Sequence, residues 1–152
     1  MTMSLFDTKK NSAICVLPWV HEYKRISGKT APCCVGDAFK GNETISQTRE
    51  FMLKGEKPRA CNNCYKAESE SGFSARIQET NDWLAKVGEP DIENPKLEFV
   101  DVRYDPTCNL KCKTCGPAES TLWQKEKKIS LPMNIANKDY LDTVDKKHLK
   151  KV

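Results

Sequence analysis

No stretch of this 152-residue chain approaches the ~18 consecutive apolar residues that would carry a helix across a bilayer. Its opening residues, Met1 to Lys10, are too polar for the apolar heart of a secretory signal. The two absences point to a cytoplasmic protein that stays out of membranes. Aromatic residues are sparse, at 8%. None interleaves with the lysines that crowd the last quarter (Lys125, Lys127, Lys128, Lys138, Lys146, Lys147, Lys150 and Lys151). That basic stretch therefore reads as a solvated helix face, and nucleic acid is not an expected partner. Internal repeats and low-complexity tracts are missing too.

Cysteine, by contrast, is plentiful. Eight stand at Cys15, Cys33, Cys34, Cys61, Cys64, Cys108, Cys112 and Cys115, in a chain with 38% hydrophobic residues, 30% charged residues and a formal charge of +4. A reducing compartment keeps thiols free, so clustered cysteines there more often bind metal than form disulfides. The pairs Cys61-x2-Cys64 and Cys112-x2-Cys115 have a common metal-ligand spacing. Size allows one ordinary domain, or two small ones stapled by something other than a large core.

The pattern along the chain predicts an α+β front followed by the start of an α/β unit. Residues 1–12 read as a flexible tail and 13–90 as a cysteine-rich hairpin-plus-helices domain. Within it, Ile14 to Tyr23, a strand broken early by Pro18, and Thr30 to Cys34 form the expected hairpin about Ser27-Gly28-Lys29. A helix capped by Asn42 or Thr44 should stop at Gly55 and Pro58, with Ile45, Met52 and Leu53 on one side. After the 61–64 knuckle, helices are expected near 63–70 and 74–86, the latter capped by Ser74 with Ile77, Leu84 and Val87 as its stripe. Residues 91–95 read as a linker, and 96–152 as a second domain. That domain has a strand over 97–104, the three-cysteine loop, a helix over 118–128 and a further helix near 138–151. Trp19, Trp83 and Trp123 read as core or interface anchors, and His21 as a surface or packing histidine. Glu68, Glu70 and Arg76 read as helix-surface charges.

The spacing Cys108-x3-Cys112-x2-Cys115 sets the loop apart. Three thiolates within eight residues can ligate three irons of a four-iron cubane and leave the fourth open to a small molecule. A closed structural zinc site wants a fourth nearby ligand, and the only later histidine is the distant His148. Lys111 and Lys113 flank the loop, either to offset cluster charge or as plain solvated lysines. Arg103 and Asn109 could orient it.

Asp105-Pro-Thr-Cys108-Asn-Leu-Lys-Cys112-Lys-Thr-Cys115-Gly, lying after a strand, closely resembles the signature of the radical S-adenosylmethionine (SAM) superfamily. The resemblance implies that Cys108, Cys112 and Cys115 hold a [4Fe–4S] cluster. SAM would chelate the open iron, and its one-electron cleavage would give a 5′-deoxyadenosyl radical that abstracts a hydrogen atom. Thr114 departs from the pattern, standing where many members carry an aromatic residue near the adenine. Cys15-x12-Gly28-x4-Cys33 with Cys61-x2-Cys64, together with Cys15-Val-Leu-Pro-Trp19 and Ala31-Pro-Cys33-Cys34, resembles the SPASM/Twitch auxiliary-cluster domain. This implies a second [4Fe–4S] cluster on Cys15, Cys33, Cys61 and Cys64, with Cys34 as an alternative to Cys33. Tyr65 to Asn94 holds no further cysteine, so a single, Twitch-like auxiliary cluster is implied.

In better-known members the auxiliary domain follows the barrel, whereas here it precedes the signature. Only 37 residues follow Cys115, and one βαβ unit takes roughly 30 or more. The expected fold is thus the first βα unit of an incomplete (β/α)6 partial barrel, with no Gly-Gly-Glu-like run after Cys115. The chain reads as the N-terminal portion of a longer or split enzyme. The implied partners are a peptide or protein substrate and an external electron donor such as flavodoxin or ferredoxin. Two other classes use the same cysteines: a non-catalytic iron–sulfur electron carrier, and a zinc-stapled binding module. The distance from Cys64 to Cys112 far exceeds the ~15–20 residues between knuckles of common zinc ribbons.

Overall fold

The computed structural model describes residues 4–36, 41, 43–104, 107–108, 110–113, 115–117, 120–130 and 139–150. Asn42, Asn109, Thr114 and Ala118, each of which carried an expectation, lie outside the described residues.

The apolar run from Ile14 does not form a strand throughout. Leu17–Val20 is a short helix, α1, with all four residues buried. Pro18 explains the change. It has no N–H to give a sheet, and its fixed φ suits the first helical turn, where that N–H would go unused. The strand starts only at His21, and β1 (His21–Lys24) shows the alternating burial that the upstream run lacks. A turn with Gly28 at φ +79° returns the chain into β2 (Thr30–Ala31), antiparallel to β1 with Tyr23 opposite Ala31. The expected hairpin is there, shorter than the sequence suggested.

Three helices follow. In α2 (Ile45–Leu53), Thr44 accepts from the Gln47 amide while Gln47 reaches back to the Thr44 amide, a reciprocal cap. Thr48 and Met52 face inward, but Leu53 is exposed, contrary to the expected side. A 3₁₀ turn (Arg59–Cys61) leads directly into α3 (Asn62–Ser71). Helix α4 (Ala75–Lys86) is capped by Ser74, as anticipated, but its inner face is not the predicted stripe. Arg76 and Thr80 are buried, Trp83 and Leu84 pack against the core, and Val87 is exposed. The spacing i, i+4, i+7, i+8 is that of one helix face. Polar residues at its first two positions conceal it from a hydrophobicity count.

After the 91–95 segment, β3 (Phe99–Val102) joins the same sheet, in the order β2-β1-β3. It lies parallel to β1, with His21 opposite Phe99 and Lys24 opposite Val102. Backbone bonds from Glu98 to Val20 and from Arg103 to Lys24 extend the ladder at both ends. The residues on either side of the expected boundary thus share one sheet. Helix α5 (Thr121–Lys127) follows the cysteine loop. The helix expected near 138–151 is only one turn, α6 (Tyr140–Thr143), plus a 3₁₀ turn (Lys146–His148). The Lys150 amide donates to the Glu98 carbonyl at 2.6 Å, bringing this segment alongside the start of β3.

The core gathers Phe6, Ile14, Cys15, Val16, Leu17, Trp19, Val20 and Met52. Phe6 belongs to the stretch expected as a loose tail. It is instead fully buried, edge-on against Trp19 with centroids 5.2 Å apart. One aromatic placed next to another was enough to anchor the segment. Among the described residues, no helix is long and apolar enough to cross a membrane.

Candidate metal centre

Three segments far apart in sequence deliver Cys15, Cys33 and the Cys61/Cys64 pair to the wall of one cavity of about 100 Å³. Roughly 10–15 Å³ suffices for a single water, so the space admits a group of several atoms. Cys15 precedes α1, Cys33 follows β2, Cys61 closes the 3₁₀ turn and Cys64 lies in the first turn of α3. Cys15 and Cys64 are buried, while Cys33 and Cys61 are half-buried. All eight cysteines are free thiols.

Hydrogen bonds hold each segment in place. The Tyr65 hydroxyl donates to the Ala13 carbonyl at 2.8 Å, and Arg76 Nη1 donates to the Ile14 carbonyl at 2.5 Å. Together they fix the segment before α1 that carries Cys15. The Glu43 carboxylate accepts the amides of Arg59 (2.8 Å) and Ala60 (3.3 Å), shaping the turn that ends at Cys61. Asn63 Nδ2 donates to the Val35 carbonyl at 3.1 Å, tying α3 to the Cys33-Cys34 loop. Gly36 lets that loop approach the knuckle, since a Cβ there would lie 3.3 Å from the Ala60 oxygen and 3.9 Å from Cys33 Sγ.

The thiols sense each other. Burial, reinforced by neighbouring thiols, pushes Cys15 up to about 12 and, against two backbone N–H groups, Cys33 to about 11. Burial and the other three thiols push Cys61 upward as well. At neutral pH these groups are therefore protonated until a cation takes the proton's place. The sulfurs already have donors suited to a thiolate. The Leu17 N–H and the Thr80 hydroxyl favour the thiolate form of Cys15, and the Val35 and Gly36 N–H groups favour that of Cys33. The Thr80 oxygen in turn accepts the Val16 amide at 3.1 Å. Hydrogen bonds to sulfur are a recurrent feature of iron–sulfur sites and help set their potentials. The donor set and its surroundings thus fit a thiolate-held cluster.

The cavity wall continues beyond the thiols to His21, Cys34, Arg76, Glu79, Phe99 and Asp101. His21 is buried and tilted against Phe99, with centroids 4.3 Å apart, so packing rather than surface exposure describes it. Its Nδ1 donates to the Pro32 carbonyl at 2.7 Å, and burial lowers its pKa, leaving a neutral ring. Cys34 is exposed, and its charged neighbours are Asp101, Arg103 and Glu79. Arg76 and Glu68 are not surface charges. Their side chains are 3% and 15% exposed and bonded through both carboxylate oxygens. Sequence reasoning missed Arg76 and Thr80 because polar residues at helical spacing look solvated; their i, i+4 relation was the available signal.

Cys108, Cys112 and Cys115 sit on the loop between β3 and α5, the first half-buried and the other two exposed. The Cys115 amide donates to the Cys112 carbonyl at 3.1 Å, a tight turn. Helix α5 grips this loop. Thr121 Oγ1 donates to the Cys108 carbonyl at 3.2 Å, Ser120 Oγ to Leu110 at 2.8 Å, and Trp123 Nε1 to Cys112 at 3.1 Å. Trp123 thus acts as an anchor of the loop. Lys111 is paired with Glu126 at 2.5 Å.

Among the described residues, no group of three or more His, Cys, Asp or Glu meets the geometry of a single metal-ion site. Compared with known proteins, the chain matches no family model, no curated protein and no solved structure.

Proposed function

We propose that this chain is a radical SAM iron–sulfur protein, or the N-terminal portion of one, working in a reducing cytoplasm. One [4Fe–4S] cluster would be held by Cys15, Cys33, Cys61 and Cys64, and a second, SAM-binding cluster by Cys108, Cys112 and Cys115. The observation that carries the reading is the cavity: four free thiols from three segments, sharing about 100 Å³, with N–H and O–H groups that favour their thiolate form.

That arrangement favours a cluster over a lone zinc. Zinc thiolate sites bring sulfurs to about 2.3 Å from one ion, whereas the space these thiols line, about 100 Å³, admits a group of several atoms. Cys33 is preferred to Cys34 because it couples to Cys64 and the N–H groups of Val35 and Gly36 favour its thiolate form. At the second loop, α5 holds the backbone of Cys108 and Cys112 while leaving Cys112 and Cys115 exposed, which keeps access for an incoming small molecule. When bound there, a reduced cluster with SAM supplies one-electron cleavage of SAM for hydrogen abstraction. The four-cysteine group would pass electrons or meet substrate, the substrate being a peptide or protein and the external donor flavodoxin- or ferredoxin-like.

The test begins with oxygen-free reconstitution in iron and sulfide, followed by reduction and addition of SAM. The expected results are a change in the electron paramagnetic resonance (EPR) spectrum of the loop cluster and release of 5′-deoxyadenosine. A reduced, cluster-loaded protein whose spectrum ignores SAM would instead be an electron carrier. A chain that takes up only zinc would end both readings.

A further inference from the structure

Among the described residues, Arg76 is the only lysine or arginine that is buried, and it stands on the cavity wall. Its guanidinium has almost no freedom. Nη1 donates to the Ile14 carbonyl at 2.5 Å, the oxygen of the peptide unit that opens Cys15. Nε and Nη2 donate to the two carboxylate oxygens of Glu68, each at 2.7 Å. The guanidinium carbon lies 5.7 Å from the Tyr65 ring centroid. Glu68 is itself held, since Ser74 Oγ donates to its Oε1 at 2.5 Å. Burial opposes the charge on Arg76, but Glu68 more than offsets it, and the thiol of Cys15 lies within its electrostatic reach.

Such a pair is a poor choice if its only task is to join α3 to α4. Buried ion pairs can often be replaced by apolar residues of similar volume at no loss of stability. What an apolar pair cannot supply is a fixed positive charge one peptide unit from a cluster ligand. A thiolate-held cluster is net negative and becomes more so on reduction. A cation in the surrounding low dielectric therefore favours the reduced state more than the oxidised one. We propose that Arg76 is a positioning residue that sets the reduction potential of the group in the four-cysteine cavity, with Glu68 as the counter-charge that moderates it. This rests on the cluster reading above.

The experiment uses the full chain carrying Cys112→Ala and Cys115→Ala, so that the cavity holds the sole cluster. Arg76→Met, Arg76→Lys and Glu68→Gln are each added, and the proteins are reconstituted without oxygen. Iron and sulfide per chain are counted, and the midpoint potential is read by an EPR-monitored redox titration. The expected result is parental iron in all three. Relative to the parent, the midpoint falls in Arg76→Met, rises in Glu68→Gln and stays nearest the parent in Arg76→Lys. Unchanged midpoints in Arg76→Met and Glu68→Gln at full iron content would overturn the assignment and leave a plain structural staple. Should Arg76→Met fail to fold, Glu68→Gln decides: a midpoint unmoved or lowered overturns the proposal. A parent that takes up no iron in the cavity refutes the cluster reading itself, and this assignment with it.

Discussion

Cys33 and Cys34 are adjacent in sequence yet have different surroundings. Cys33 is half-buried on the cavity wall, where it couples to Cys64 and the N–H groups of Val35 and Gly36 favour its thiolate, whereas Cys34 is exposed beside Asp101. Replacing Cys33 by alanine should remove the cavity's iron, while Cys34→Ala should leave it in place; iron analysis after reconstitution separates the two. The metal-free protein carries a second residue-scale signature. A thiol must ionise to be alkylated. With Cys15 at about 12 and Cys33 at about 11, both should react with iodoacetamide far more slowly at pH 8 than the exposed Cys112 and Cys115, as peptide mass spectrometry would show. The same shifts make stability depend on pH. An unfolded thiol ionises near its ordinary value of 9, so above that pH the folded state holds protons that the unfolded state has lost. The stabilisation is complete below about pH 9 and declines as pH rises toward 12. The metal-free protein should therefore melt at a lower temperature at pH 10 than at pH 8. An unchanged melting temperature would mean the thiols are not buried as described.

Among the elements, α5 couples its own stability to the cysteine loop through a single serine. Ser120 caps the helix, accepting from the Trp123 amide at 3.4 Å, and donates to the Leu110 carbonyl inside the loop. Ser120→Ala should cost about 1 kcal/mol as a lost cap. It should also loosen residues 110–113, seen as faster tryptic cleavage at Lys111 and Lys113 with the rest of the chain unaffected. The caps at Thr44 and Ser74 were legible because capping residues act locally. The face of α4 was not, because Arg76 and Thr80 are buried only by partners far off in the chain: Glu68 and Ile14 for one, Val16 and Cys15 for the other. The 14–23 run misled for the opposite reason. Its hydrophobicity was read without the preference of Pro18 for a helix start.

At the scale of the whole molecule, the parallel pairing of β1 with β3 brings the two cysteine groups onto one framework. Phe99 and Asp101, both on β3, line the cavity, and Cys108 follows that strand in sequence. Periodicity alone could predict that 97–104 is a strand, but not which neighbour it pairs with, since register is settled by tertiary packing. The cysteine spacings, being covalent and local, were readable throughout. What they could not disclose was the setting they occupy: a cavity with an arginine fixed in its wall and the thiols already supplied with donors.

The most direct measurement is the iron and acid-labile sulfide content of the chain after oxygen-free reconstitution, compared with two variants, Cys61→Ala/Cys64→Ala and Cys112→Ala/Cys115→Ala. Two four-iron clusters predict about eight irons per chain in the parent and about four in each variant. Iron that is unchanged when the cavity cysteines are removed, or zinc in place of iron, would contradict the account.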